Sequence, residues 1–233
     1  MSVVAPAQDR GLSGRRQFLR WLSGAAFCAA ATSPAVALGT GEAPSEIFRR
    51  RGAARAALLR RYWQESSGLA SVRTGPPTGL RMMQFIDPLC PLFSRQWWAL
   101  WPHRDRLCVH WIPVAFVRPE SLGVAAHILA SPHPVTALEK AALAVGTQSS
   151  LLAAAPPIPE RDRVPVRGNT RFWRERLGVL PVLLYPHRQG PHAFVGVAEP
   201  QILATILRLA NDRRQGPATA PVLPDFQPRH ASP

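Results

Sequence analysis

The sequence predicts an α/β fold centred on a strand–helix–strand unit. Residues 80–86 form a short apolar run, and residues 106–116 form a second run that is rich in β-forming side chains. Between them, residues 94–101 are bulky and suit a helix, which Pro102 ends. Two strands joined by one helix over so short a stretch should be parallel, with a right-handed crossover.

A helical insertion is expected at about residues 118–165, because two alanine-rich segments there are divided by Ser131-Pro132-His133-Pro134. The remaining expected elements are, in chain order, helices at 122–130 and 134–145, a Pro-rich loop at 156–165, a helix at 170–177, strands at 181–185 and 193–197 joined by a turn at 187–191, and a helix at 200–211. Pro200 occupies a favoured first-turn position of that last helix. The two late strands should be antiparallel.

Residues 38–79 are expected to hold a basic helix and a linker. Within residues 43–65, apolar side chains recur at roughly helical spacing and arginines lie elsewhere around the helix. The apolar set is Ile47, Ala54, Leu58 and Tyr62, and the basic set is Arg49, Arg50, Arg55, Arg60 and Arg61. Such a helix either lies on an anionic membrane surface or partner, or docks on its own domain with the arginines in solvent.

The main domain is expected to span residues 80–215. The stretch Gly75-Pro76-Pro77-Thr78-Gly79 marks the linker before it. Residues 216–233 contain five prolines and are predicted to form a disordered tail.

The N-terminal residues read as an export signal. Residues 13–20 carry a cationic segment, and a moderately apolar stretch at 21–38 follows, with the small residues Ala35-Val36-Ala37 near its end. Arg15-Arg16 followed by Phe18-Leu19 resembles the twin-arginine consensus. The expected signal is residues 1–37, which implies the twin-arginine export machinery as a partner and the periplasm or cell envelope as the location. The alternative is an uncleaved membrane anchor.

The charge is strongly positive, at +14, with 28 Lys and Arg against 14 Asp and Glu. Removing residues 1–37 takes away four arginines and Asp9, so the exported chain still carries +11. The arginines are spread along the chain, and no recognisable nucleic-acid module accompanies them. A nucleic-acid partner is therefore not expected.

Residues 85–93 carry the most specific pattern. The run Phe85-Ile86-Asp87-Pro88-Leu89-Cys90-Pro91-Leu92-Phe93 resembles the Phe-x-Asp-Pro-x-Cys-Pro-x-Cys loop of the DsbC/DsbG-type periplasmic disulfide isomerases. Residues 118–121 and 125–131 resemble the first inserted helix of the DsbG branch. Residues 177–181, Leu-Gly-Val-Leu-Pro, resemble the family's Leu-Gly-Val-x-Pro loop. The resemblance covers roughly residues 80–212 and implies a thioredoxin-like fold, with Pro181 in the cis form and facing the active site.

Cys90 is the candidate nucleophile on the residues alone. It follows a strand and opens a helix, and Pro91 sits where a first-turn proline loses no hydrogen bond. The positive end of the helix dipole is expected to lower the pKa of this thiol and to favour thiolate. The other thiol of the exported chain is Cys108, since Cys28 lies in the signal. A structural disulfide is the competing interpretation, but the intervening helix carries the chain about 15 Å away, so the bond is predicted absent and Cys108 is expected in the core.

The chain departs from the family pattern at Phe93, which stands where the resembled loop has its second cysteine. A single thiolate permits disulfide isomerisation but not dithiol oxidation. The candidate client-binding and active-site loop comprises Asp87, Pro88, Pro91, Phe93, Leu180 and Pro181. Asp87 is either a proton buffer for the thiol or a helix-entry residue. About 40 residues separate Ala37 from Leu80, too few for the family's dimerisation domain, so a monomer or a dimer formed by other means is expected.

The sequence thus predicts an exported thiol:disulfide interchange protein, like a protein disulfide isomerase with a single active-site cysteine. Its partners would be misoxidised or unfolded extracytoplasmic proteins, with small thiols or a membrane reductant releasing trapped complexes. The alternative is a redox-silent thioredoxin-like chaperone or assembly factor of an envelope machine. No cofactor and no metal are expected, because the seven histidines show no convincing metal-binding spacing.

Overall fold

The computed structural model describes residues 46–147 and 158–211. The twin-arginine signal predicted for residues 1–37 and the tail predicted for residues 216–233 lie outside these residues. The described helices are α1 Glu46–Arg49, α2 Gly52–Ser66, α3 Pro91–Leu100, α4 Ser121–Ala130, α5 Pro134–Gly146, α6 Glu160–Arg176 and α7 Pro200–Asn211. The strands are β1 Val72–Thr74, β2 Leu80–Ile86, β3 Leu107–Pro113, β4 Val182–Tyr185 and β5 His192–Val195.

The strands form one five-stranded sheet in the order β1-β3-β2-β4-β5. β2 and β3 are parallel, in a register that runs from Leu80 opposite Leu107 to Ile86 opposite Pro113. The pairs β1–β3, β2–β4 and β4–β5 are antiparallel. The predicted β2-α3-β3 unit and the late hairpin are therefore confirmed. The three-residue strand β1 lies inside the segment that was predicted to be helix and linker, so that part of the prediction is wrong.

Both faces of the sheet are covered by helices. On one face, α3, α4, α5 and α7 pack over Met82, Val109 and Trp111. On the other face, α1, α2 and α6 pack over Met83, Phe85 and Ile112. Successive residues of β2 and β3 contribute to opposite faces, so these central strands are buried along most of their length.

The N-terminal helix differs from its prediction in continuity and in orientation. It is divided into α1 and α2 at Arg50 and Arg51, where Gly52 takes a positive φ of 58°. Leu59 and Tyr62 are buried against the sheet, whereas Ala54 is exposed and Leu58 is only half-buried. The helix docks on its own domain, and its buried face is rotated by one residue from the predicted face, since Leu59 rather than Leu58 is buried. The exposed arginines are Arg49, Arg50, Arg51, Arg60 and Arg61, and Arg55 is half-buried.

Helix α6 is longer than predicted. A Pro-rich loop to residue 165 and a helix from 170 were expected, but α6 begins at Glu160 and contains Pro165. Val166, Asn169 and Trp173 form its buried stripe. Asn169 Nδ2 donates to the carbonyl oxygens of Ala70 and Pro113, at 2.8 and 2.9 Å. This tertiary packing offsets the hydrogen bond that Pro165 removes from the helix.

None of the helices in the described ranges has the length and apolar character needed to cross a membrane.

Gly75 provides a sharp test of the turn between β1 and β2. A Cβ at this position, where φ is 79°, would collide with the backbone carbonyl oxygens of Leu107 and Arg104. Gly52 also has a positive φ, but a Cβ there meets no atom within 4 Å. Gly75→Ala is therefore expected to lower the free energy of unfolding by more than about 3 kcal/mol. Gly52→Ala should cost only the backbone strain of about 1–2 kcal/mol.

Urea unfolding followed by circular dichroism measures both values. Equal losses for the two variants would show that the close approach of Gly75 to Leu107 is absent.

Candidate active site

Cys90 lies at the N-terminal end of α3, where the chain leaves the carboxyl end of β2. Its backbone is extended, with φ −80° and ψ 125°, and Pro91 follows in the first turn of the helix. The Cys90 N–H donates to the Asp87 carbonyl oxygen at 3.0 Å, and the Phe93 N–H donates to the Cys90 carbonyl oxygen at 2.9 Å. The Cys90 side chain is a free thiol, and the residue is partly exposed.

The buried carboxylate of Asp87 organises this loop. Its Oδ1 accepts hydrogen bonds from the Leu89 N–H at 2.8 Å and the Ser121 hydroxyl at 2.9 Å. Its Oδ2 accepts from the N–H groups of Phe116 and Val117 at 2.7 and 2.8 Å. Burial raises the pKa of Asp87, and these four hydrogen bonds oppose that shift. Asp87 therefore joins the Cys90 loop to the segment after β3 and to the first residue of α4.

The expected electrostatic activation of Cys90 is wrong. Burial raises the pKa of the Cys90 thiol and is the largest influence on it. The backbone N–H of Leu92 lowers the pKa, the charge of Asp87 raises it, and the backbone N–H of Phe93 lowers it. The amides at the start of α3 do act in the predicted direction, but desolvation outweighs them. The protonated thiol is therefore the favoured form at neutral pH.

Pro181 lies at the same edge of the sheet as the Cys90 loop. The Leu180–Pro181 peptide bond is cis, as the resemblance implied. The next residue, Val182, pairs with Phe85 near the end of β2. The Gly196 N–H donates to the Pro181 carbonyl oxygen at 2.9 Å, which ties this turn to the chain leaving β5.

Phe93 belongs to the core and not to a surface that clients contact. Only 1% of its surface is exposed. Its ring packs edge-on against Trp97 and Trp111, with centroid separations of 6.5 and 6.0 Å. Within the predicted client-binding and active-site loop, Phe93 therefore offers almost no surface to a client, because its side chain points into the aromatic cluster formed by Phe93, Trp97 and Trp111.

Burial divides the remaining residues of the predicted client-binding loop. Asp87, Pro88 and Pro181 are buried, so they can shape the loop but offer little surface to a client. Pro91 is exposed and Leu180 is half-buried. Leu92, which stands beside Cys90 in the first turn of α3, is also half-buried and adds apolar surface there. The accessible part of the site is therefore Cys90 with Pro91, Leu92 and Leu180.

Cys108 is remote from Cys90. It is a buried free thiol, as expected, and pairs in register with Arg81 near the start of β2 and β3. The Cys90 loop begins at the other end of these strands, beyond Ile86. Five residues of strand separate Arg81 from Ile86, a distance of roughly 17 Å. The two sulfurs are therefore held at opposite edges of the sheet. Across residues 46–147 and 158–211, no group of three or more His, Cys, Asp or Glu side chains could hold a metal ion.

Sequence reasoning missed Ser121. A serine at the start of a helix is an ordinary helix-initiating choice, and its pattern carries no sign of a partner 34 residues earlier. In the structure the hydroxyl of Ser121 both donates to Asp87 and accepts from the Arg118 N–H at 3.2 Å. Ser121 thus fixes the entry to the helical insertion relative to the Cys90 loop.

No family model matches the chain, and no curated protein matches it. Solved structures do. A linker-deletion variant of ScsC from Proteus mirabilis is 16% identical, with a TM-score of 0.52, and the match covers 69% of this chain and 85% of that one. A periplasmic thioredoxin-like protein from Salmonella enterica serovar Typhimurium is 21% identical, with a TM-score of 0.47 and coverage of 60% and 88%. Helicobacter pylori DsbG is 19% identical, with a TM-score of 0.46 and coverage of 55% and 61%. Together with the strand order, the ScsC match shows that the chain has a thioredoxin-like fold.

Proposed function

We propose that the chain is an exported thiol:disulfide interchange protein that acts on extracytoplasmic proteins through Cys90 alone. The observation that carries this proposal is the placement of a free, partly exposed thiol at the first turn of α3. The cis bond before Pro181 lies at the same edge of a thioredoxin-like sheet. A thiol at the end of a helix that keeps part of its surface exposed can reach a disulfide of another protein.

The reaction is thiol–disulfide exchange without net oxidation. Cys90 loses its proton to solvent, and its sulfur attacks one sulfur of a client disulfide. The client S–S bond breaks, its leaving thiolate takes up a proton, and a mixed disulfide joins the client to Cys90. A second client thiol then attacks the mixed disulfide, which restores Cys90 and leaves a rearranged client. Two equivalents of a small thiol, or a membrane dithiol reductant, can release Cys90 instead; the client disulfide is then reduced, and the small thiols or the reductant are oxidised to a disulfide.

Dithiol oxidation is not part of the proposal. The position three residues after Cys90 holds the buried ring of Phe93, and Cys108 lies at the other end of β3. Neither supplies a sulfur that could close a disulfide with Cys90, since such a bond needs Cα atoms within about 7 Å. Among the residues that the structure describes, Cys90 therefore has no partner with which to form an internal disulfide for transfer to a client.

The raised pKa of Cys90 favours a second candidate function. A thiol held in its protonated form exchanges slowly at neutral pH. A redox-silent chaperone or assembly factor of an envelope machine would use the same apolar surface, with Leu92 and Leu180 beside the thiol, and would need no thiolate. The two functions differ in whether a covalent bond to the client forms.

The location belongs to the same proposal. The pattern Arg15-Arg16 with Phe18-Leu19 supports export by the twin-arginine machinery to the periplasm or cell envelope. The exposed arginines of α2 and the residues before it suit contact with an anionic membrane surface, and such contact would weaken steeply with salt.

Capture of a client on Cys90 is the central test. Incubation of the protein with scrambled ribonuclease, followed by acid quenching, alkylation and non-reducing electrophoresis, should reveal a mixed disulfide. Its yield should rise as pH increases from neutral toward the raised pKa of Cys90, because only the thiolate attacks. Cys90→Ser should abolish the adduct, whereas Cys108→Ala should retain it. Absence of an adduct at every pH would favour the redox-silent function.

Asp87→Asn tests whether the Asp87 carboxylate has a structural role or acts as a base for the Cys90 thiol. Removing the negative charge should lower the pKa of Cys90 and speed its alkylation by iodoacetamide at neutral pH. The amide would also present donors to the N–H groups of Phe116 and Val117, so the free energy of unfolding should fall by about 1–3 kcal/mol. Alkylation rates against pH and urea unfolding measure the two effects. Slower alkylation of the folded variant would instead identify Asp87 as the base for the thiol.

Phe93→Cys restores the missing sulfur. Positions 90 and 93 are joined by the hydrogen bond from the Phe93 N–H to the Cys90 carbonyl oxygen, and residues three apart on a helix lie about 5–6 Å apart. In an oxidising glutathione buffer the variant should form an internal disulfide, detected as loss of both thiols. The smaller side chain should also lower stability by about 3 kcal/mol. Phe93→Ala is the matched control, which creates the cavity without a second thiol.

A further inference from the structure

A second cluster of polar side chains lies at the edge of the sheet opposite Cys90. Arg73 of β1 pairs directly with His110 of β3, and Arg81 of β2 pairs with Cys108 two residues earlier on β3. Paired residues of adjacent strands project from the same face, and residues two apart on one strand share a face. Arg73, Arg81, Cys108 and His110 therefore share the sheet face that α2 covers. We call these four residues, together with Ser71, the arginine–histidine cluster.

His110 lies at the centre of the cluster. Its Nδ1 is 3.4 Å from the Ser71 hydroxyl, and its Nε2 is 3.9 Å from the Cys108 sulfur. The Arg81 guanidinium lies over the Trp63 ring of α2, 5.9 Å from its centroid. Ser71, Arg81 and His110 are half-buried, and Arg73 is exposed. The cluster is thus open to solvent on one side and bounded by Trp63 and Cys108 within.

The cluster has positive charge without a counter-charge. Within the part of the chain that the structure describes, neither Arg73 nor Arg81 has a carboxylate at ion-pair distance, whereas Arg61, Arg95 and Arg176 do. The Nε atom of Arg81 is buried and has no hydrogen-bond partner. A buried donor without an acceptor is costly, so this atom indicates a missing acceptor.

The field of the two arginines also acts on His110. Burial lowers the pKa of His110, and the charges of Arg81 and Arg73 lower it further. His110 is therefore a neutral ring at pH 7, with one N–H available as a donor. Among the described residues, the polar and charged groups that act on it are Ser71, Arg73, Arg81 and Cys108, and none of them is a carboxylate.

The geometry points to an oxyanion-binding site for a phosphate-type group at the arginine–histidine cluster. Two guanidinium groups offer paired N–H donors that match the oxygens of such a group, and the Ser71 hydroxyl and the His110 ring add two more donors. The group can be a free ion or the headgroup of an anionic lipid. This site goes beyond the proposed thiol chemistry and does not depend on it, because the Cys90 loop begins beyond Ile86, which lies roughly 17 Å from Arg81 along β2.

The test is an NMR titration of the His110 ring protons in the full chain with inorganic phosphate. Ionic strength is held constant with chloride, and His110→Gln assigns the signal. Phosphate is expected to shift the signal saturably and to raise the pKa of His110, because an anion stabilises the protonated ring. Arg73→Gln and Arg81→Gln should each weaken binding about tenfold, the effect of losing a hydrogen-bonded charge.

Arg118→Gln is the matched control. It removes the same charge from an exposed position at the Cys90 edge of the sheet, so it should leave phosphate binding unchanged. If Arg81→Gln disturbs folding through Trp63, the exposed Arg73 still provides the test. A His110 signal that responds equally to phosphate and chloride overturns the site, and so does an equal loss of affinity in Arg118→Gln.

Vesicles identify the source of the phosphate group. Phosphatidylglycerol vesicles that compete with inorganic phosphate, where phosphatidylcholine vesicles do not, would assign a lipid headgroup. A response to inorganic phosphate without such competition would assign the free ion. Cys90→Ser should bind phosphate as the unmodified chain does, so failure of the thiol function and failure of this site are distinguishable.

Discussion

Four hydrogen-bond donors from three separate segments converge on the two carboxylate oxygens of Asp87. Leu89 belongs to the loop that carries Cys90, Phe116 and Val117 follow β3, and Ser121 begins α4. Backbone N–H groups buried at such a junction need acceptors, and a neutral side chain cannot supply four lone-pair sites in this geometry. The position of the thiol relative to the helical insertion thus depends on one charged side chain. The sheet below it supplies the rigid edge, but Asp87 sets where the loop lies on that edge.

The same carboxylate works against the chemistry of the thiol. Burial of the loop removes the water that would stabilise a thiolate at Cys90. The nearby charge of Asp87 also disfavours the thiolate. The backbone amides of Leu92 and Phe93 lower the pKa of Cys90 and so offset part of this effect, as the start of a helix should. A well-anchored loop and a highly ionised thiol therefore compete at this site. In this chain burial outweighs the helix amides, so the protonated thiol is the favoured form near neutral pH.

The sequence was sufficient wherever one local pattern determines the element. The apolar runs of β2 and β3 predicted the parallel pair, and Pro200 correctly marked the first turn of α7. It was insufficient where tertiary contacts override local preference. Pro165 argued against the helix that Asn169 and Trp173 hold in place, and β1 is too short to show a pattern of its own. The shift in the pKa of Cys90 was predicted with the wrong sign because the position of a residue at a helix start is visible in a sequence, whereas the burial of Cys90 and Asp87 is not.

Phe93 shows which core contacts a second cysteine at this position would remove. Its ring contacts both Trp97 and Trp111, and Trp111 in turn donates its indole N–H to Thr74 of the edge strand. Aromatic pairs of this kind contribute about 0.5–1.5 kcal/mol each beyond the burial of their surface. A cysteine is too small to hold Trp97 and Trp111 in these positions, so the packing between α3 and β3 would have to change with it. Residue 93 can therefore supply either a second thiol or a ring of the aromatic cluster, and in this chain it supplies the ring. The redox chemistry open to Cys90 is accordingly limited by the packing of the core as much as by the cysteine count.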